Sequence, residues 1–141
     1  MSEKNIYQAY TRDRRTVDEL ISSWMQTYNS REYIDLFNKI WWKLETEWRR
    51  VIGWGGLGAW GAYYISPDKK RCIYIEMKEC FCTNGRYEPF ARTIKEIKFN
   101  NPTMLAEMIW RKHGGAIPLE QIVNAIHRVF NREEGESCEH E

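Results

Sequence analysis

Trp54-Gly55-Gly56-Leu57-Gly58-Ala59-Trp60-Gly61, residues 54–61, is the stretch on which the fold turns. Gly56 to Gly61 matches G-x-G-x-x-G letter for letter. That pattern binds dinucleotides when a strand precedes it and a helix follows, because the helix N-terminus then faces the phosphates. Here the order is reversed: helical periodicity runs up to the glycines and strand periodicity leaves them. The segment therefore reads as a helix-to-strand turn whose glycines let two elements pack closely. A cradle of backbone N–H groups for an anion is the other reading.

Upstream of the glycines, two helices are expected. Thr16 and Glu19 have the spacing of a capping box. Val17, Leu20, Ile21, Trp24, Met25 and Tyr28 then recur at three-and-four spacing. Ser30 is placed to cap a longer helix with the stripe Tyr33, Phe37, Ile40, Trp41, Leu44, Trp48 and Val51 and a stop at Gly53. Trp42 falls on the polar side of that helix.

Downstream, the pattern changes to period two. Ala59 to Ile65 reads as a strand, and Ser66-Pro67-Asp68-Lys69 as a turn. Arg71 to Thr83 reads as one long strand, with Ile73, Ile75, Met77 and Phe81 on one face. Cys72, Tyr74, Glu76, Lys78, Cys80 and Cys82 take the other face. Asn84-Gly85 is a hairpin signal, and a third strand lies within Tyr87 to Phe99, delayed by Pro89. Asn101 and Pro102 open a third helix that ends at His113, and Pro118 opens a fourth. The expected class is α+β: two N-terminal helices, a three-stranded antiparallel β-meander and two C-terminal helices.

The chain of 141 residues is long enough for one domain with a single core. We expect a polar lead-in over 1–15, the domain over 16–132 and an acidic flexible tail over 133–141. No apolar run of membrane-spanning length and no apolar leader are seen, so a cytoplasmic location is expected. The net charge of +1 conceals a split. Five of the 20 acids follow residue 132, leaving 21 basic against 15 acidic residues before it. A basic body suits an anionic partner.

Chemistry-bearing motifs are few. Cys72, Cys80, Cys82 and Cys138, even with His140, match no paired zinc-knuckle spacing, so neither metal nor cofactor is expected. The three histidines pair with no nucleophile at an informative spacing, and no catalytic residue is assigned. Met104 to Val129, under a fifth of the chain, resembles the helical half of small domains attached to cobalamin-dependent ribonucleotide reductases. The cysteine motif for which those domains are named is absent, so no residue role is carried over.

What stands out is seven tryptophans, several of them near arginines. Indoles stack on nucleobases and guanidinium groups pair with phosphates. The expected ligand-binding set is Trp42, Arg49, Trp54, Trp60, Tyr64 and Arg71. The leading expectation is a non-enzymatic protein that holds a nucleotide or short nucleic acid, as a phage or mobile-element counter-defence protein would. The same residues would serve a protein-interaction module or inhibitor as a hot spot. An enzyme with an unrecognised site is the third reading, and it needs a cleft gathering Glu76 with a cysteine or histidine. A homo-oligomer is expected from Trp42 and the two edges of the sheet.

Overall fold

The computed structural model describes residues 13–56, 58–78, 81–83, 86–88 and 91–131, with the backbone alone for 81–83 and 86–88. The tail from residue 133, the lead-in up to residue 12, Cys80, Cys138, the Cys82 side chain, the Asn84-Gly85 turn and Pro89 lie outside those residues.

The chain opens on α1 (Val17–Gln26), whose capping box is formed on both sides. The Thr16 hydroxyl accepts from the Glu19 N–H, and the Glu19 carboxylate accepts from the Thr16 N–H. The second helix, α2 (Ser30–Glu47), is capped by Asn29, whose side chain accepts from the Glu32 N–H. Strands β1 (Arg49–Gly56), β2 (Ala59–Ile65) and β3 (Cys72–Lys78) follow. A short ribbon, β4 (Phe81–Thr83) with β5 (Arg86–Glu88), precedes β6 (Ala91–Ile97). Two helices, α3 (Pro102–Lys112) and α4 (Leu119–Phe130), complete the described chain. Asn101 caps α3 with Pro102 in its first turn, as the sequence predicts.

The class is α+β, but the main sheet has four antiparallel strands in the order β1-β2-β3-β6, not three. The additional strand is β1. The helical stripe was expected to continue to Val51, yet α2 stops at Glu47 with Trp48 as its C-cap. The cause is long-range pairing. Arg49 to Gly56 hydrogen-bond along β2, with Ile52 opposite Tyr63 and Trp54 opposite Gly61. Val51, Ile52 and Trp54 favour extended backbone, and three glycines make a helix there unfavourable. The glycine-rich stretch is thus a hairpin: Gly56 faces Ala59, and Gly58 has φ 70°. The long strand expected over Arg71–Thr83 is also divided, into β3 and β4.

Both faces of the sheet are covered. On one, Ala62, Tyr64, Ile73 and Ile75 meet Leu20 and Trp24 of α1 and Phe37, Ile40 and Leu44 of α2. On the other, Tyr63, Ile65, Cys72 and Tyr74 meet Leu105 and Ile109 of α3 and Ile122 and Ile126 of α4. This explains why β2 ends in five consecutive buried residues: each side chain has a helical layer to enter. At β3 the alternation read from the sequence holds, with Ile73 and Ile75 in one core and Cys72 and Tyr74 in the other.

One close approach fixes the open end of the sheet. A Cβ on Gly61 would lie 2.6 Å from both Trp54 Nε1 and the Tyr74 hydroxyl. Gly61→Ala should therefore displace the Trp54 indole and destabilise the protein by about 1–3 kcal/mol. A urea midpoint equal to that of the unsubstituted protein would show that the indole does not press on this strand.

Candidate functional site

A concavity of about 660 Å³ lies along β1 on the face that carries α2. Its floor follows from strand alternation. Gly53 faces Ala62 and Gly55 faces Trp60, so β1 presents no side chain beyond Cα at these two positions. Trp41, from α2, and Trp60, from β2, form one wall, with ring centroids 5.8 Å apart and planes at 57°. Both indoles are half-buried, so each keeps an exposed edge. Tyr64 also lines the groove; its ring is wholly buried and its hydroxyl donates to the Glu45 carboxylate. Arg50 runs along the floor, its Cδ 3.6 Å from where a Gly53 Cβ would sit.

Glycines 53 and 55 differ in what they meet. A Cβ on Gly53 would come within 3.2 Å of the Gly61 carbonyl oxygen, so packing accounts for that residue. A Cβ on Gly55 would meet nothing closer than 4.0 Å, and its backbone is outside the left-handed region. Neither internal packing nor backbone conformation demands glycine at 55. The bare surface there faces open space beside Trp60. A smaller concavity of about 300 Å³ continues the groove past Gly55 and Trp60 toward the hairpin turn.

At its other end the groove meets a second concavity of about 560 Å³, lined by Glu45, Trp48, Arg49, Arg50, Arg128 and neighbours. Arg50 and Val51 belong to both. Arg49, Arg50 and Arg128 make no ion pair among the described residues. Their charges are therefore available to an anion, and the nearby Glu45 carboxylate already holds the Tyr64 proton donor.

The six residues expected to bind ligand are distributed unequally. Trp60 and Tyr64 line the groove, and Arg49 lines its basic extension. Trp54 also borders the groove, but its indole turns to the opposite face, because it pairs with Gly61 while Trp60 pairs with Gly55. Trp42 is half-buried beside Trp41, at 6.0 Å between centroids, and does not line the groove. Arg71 lies elsewhere. It makes a two-pronged ion pair with Asp18, at 2.8 Å for each oxygen, and a second pair with Glu96, joining α1 to β3 and β6. Its guanidinium carbon is also 5.5 Å from the Trp48 ring centroid. The lining residues outside the expected set are Trp41, Arg128 and Arg50, the last of which the sequence places among the arginines flanking the aromatic cluster. Trp41 was legible as part of the apolar stripe with Phe37 and Leu44; Arg128 had no local signal.

On the α3 face, a separate polar network surrounds the Trp54 indole. Its N–H donates to the Tyr74 hydroxyl at 3.2 Å, which donates to Glu76 at 2.5 Å. The Tyr63 hydroxyl is 2.7 Å from His113 Nε2, and Lys112 Nζ sits 3.8 Å from the Tyr74 ring centroid. Burial holds the Tyr63 and Tyr74 hydroxyls well above the usual phenol range. Burial likewise pushes the Cys72 thiol up to about 12, so this cysteine is not a nucleophile at neutral pH. Among the described residues no group of three or more His, Cys, Asp and Glu is placed to hold a metal. No described helix is long and apolar enough to cross a membrane.

No protein-family model, curated protein or solved structure matches this chain. The groove geometry therefore carries the functional reading without a relative to lean on.

The His113 environment has a measurable consequence. Burial first, then the Lys112 charge, lowers its proton affinity below the ordinary value of 6.5. The unfolded chain then binds a proton that the folded chain refuses, so stability falls as pH drops through 6.5 toward the lowered folded value. Thermal melts between pH 7.5 and 5.5, a range of roughly one unit on either side of an ordinary histidine, should show this decline. His113→Asn should flatten it. Identical pH slopes in the two proteins would remove His113 as the cause.

Proposed function

We propose that this chain is a non-enzymatic binding protein that holds a nucleotide or short nucleic acid in the β1 groove. The observation that carries the reading is Gly55, a strand residue with open space above it, set beside the Trp60 indole and one groove-length from unpaired arginines. A base can lie against an indole edge or face where the strand offers no side chain, and a guanidinium can take the phosphate. The basic body of the chain would steer an anionic ligand toward it. Such a small binder suits a counter-defence role, sequestering a nucleotide signal or a nucleic-acid end.

A second reading rests on a different feature of the same region. β1 is an edge strand, hydrogen-bonded only to β2 in the sheet. A partner protein or a second copy of this chain could add a strand there, with Trp60 and the arginines as its anchors.

Two measurements separate these readings. ATP and an oligothymidylate of about eight residues should each raise the melting temperature. A ligand at about 100 times its Kd adds about 2.7 kcal/mol of stability. Gly55→Val should leave the unliganded protein as stable or slightly more so, since valine suits an extended strand. It should also fill the space beside Trp60 and abolish the ligand-induced shift. If neither ligand shifts the melt of the unsubstituted protein, the nucleotide reading is lost and the strand-addition reading gains.

A further inference from the structure

We infer that the ligand of this groove is a single strand of nucleic acid several nucleotides long, rather than a mononucleotide; the inference rests on the groove reading above. Its starting point is the extent of the surface. The three concavities adjoin: the hairpin-end space shares Gly55 and Trp60 with the main groove, which shares Arg50 and Val51 with the basic extension. Between them they are lined by every residue of β1 from Arg49 to Gly56, and these eight residues span about 26 Å at the usual rise per residue. A mononucleotide would occupy one part of that length. About four nucleotides, the smallest footprint of single-strand grooves, would occupy it all.

The chemistry along this length is divided as a strand requires. The hairpin half offers flat apolar surface from Trp41 and Trp60 and bare backbone at Gly55. The other half offers Arg49 and Arg50 from β1 and Arg128 from α4. Arg50 stands at the junction, with its stem over Gly53. A ligand that stacks at the first half must extend a phosphate chain to reach Arg128. The aromatic contacts impose no hydrogen-bond readout, so little base preference is expected.

The number of cations sets the salt response. A single strand that neutralises three arginines should show log K falling against log salt with a slope of about −2. Removing one contact should reduce that slope by about 0.7.

The test uses the full chain, AMP, a fluorescein-labelled oligothymidylate of about eight residues, and the same oligonucleotide annealed to its complement. Binding is read by anisotropy for the oligonucleotides and by tryptophan fluorescence for AMP. Arg128→Gln is an exposed substitution on α4, outside the lining around Trp41, Trp60 and Gly55, and should leave the melting temperature of the unliganded protein unchanged. It should weaken the oligonucleotide by about fivefold, the upper range for one exposed ionic contact, and flatten its salt slope. Gly55→Val should abolish binding of both ligands. Equal affinity for AMP and the oligonucleotide, with no effect of Arg128→Gln, would overturn the single-strand inference and leave a mononucleotide groove. Duplex binding as tight as single-strand binding would also overturn it. Absence of any nucleotide binding would overturn the groove reading itself.

Discussion

The register of the β1–β2 hairpin governs the rest of the molecule. Trp54 stands opposite Gly61 and Gly55 opposite Trp60. Because side chains alternate along a strand, a slip of one residue would exchange the contents of the two faces. Here both faces are buried under helices, so such a slip would drive Ala62 and Tyr64 out of one core and Tyr63 and Ile65 out of the other. The penalty is the burial of several large side chains at about 1.5–3 kcal/mol each. The two cores thus fix the hairpin, and the hairpin fixes where each tryptophan points.

This constraint explains what was legible in the sequence. Helix starts at Thr16 and Asn101 were readable because a cap is a local hydrogen bond between residues a few positions apart. The bounds of β2 were readable because turn residues flank it. β1 was not readable, because Trp41, Leu44, Trp48 and Val51 continue a helical spacing that only pairing with β2 interrupts. That decision belongs to residues far along the chain, and tertiary pairing overrides local periodicity. A missing fourth strand then moved the glycines from a hairpin into a presumed turn.

The candidate site was legible in composition and not in geometry. Clustering of Trp54, Trp60 and Tyr64 in sequence suggested one aromatic surface, but strand alternation divides it. The Trp54 indole joins Tyr74 on the α3 face, while Trp60 joins Phe37 and Trp41 on the α2 face. Adjacent residues on α2 are separated by about 100° around the axis, so Trp41 faces the sheet and Trp42 flanks it. Arg71 has the composition of a ligand residue, but two carboxylates bind it, and its charge serves the α1–β3–β6 junction. An exposed network of this kind is worth at most about 1 kcal/mol per pair. Arg50, by contrast, was one position from the expected Arg49, and the bulge between Arg50 and Ile52 helps set its direction.

Gly55 and Gly61 stand six residues and one strand apart, and they explain why glycine content alone was ambiguous. Gly61 is glycine because the protein itself fills the space: Trp54 and Tyr74 occupy the position of its absent side chain. At Gly55 no described residue fills it. A glycine inside a strand sacrifices roughly 0.5–1 kcal/mol of conformational entropy relative to alanine. At Gly61 that loss is offset by packing of an indole and a phenol. At Gly55 no contact among the described residues offsets it, and the surface left bare lies beside an indole and near three guanidinium groups that make no ion pair among those residues. Stability alone would favour a β-branched residue there. The proposed ligand would supply that compensation, by approaching the strand closely enough to need the missing Cβ.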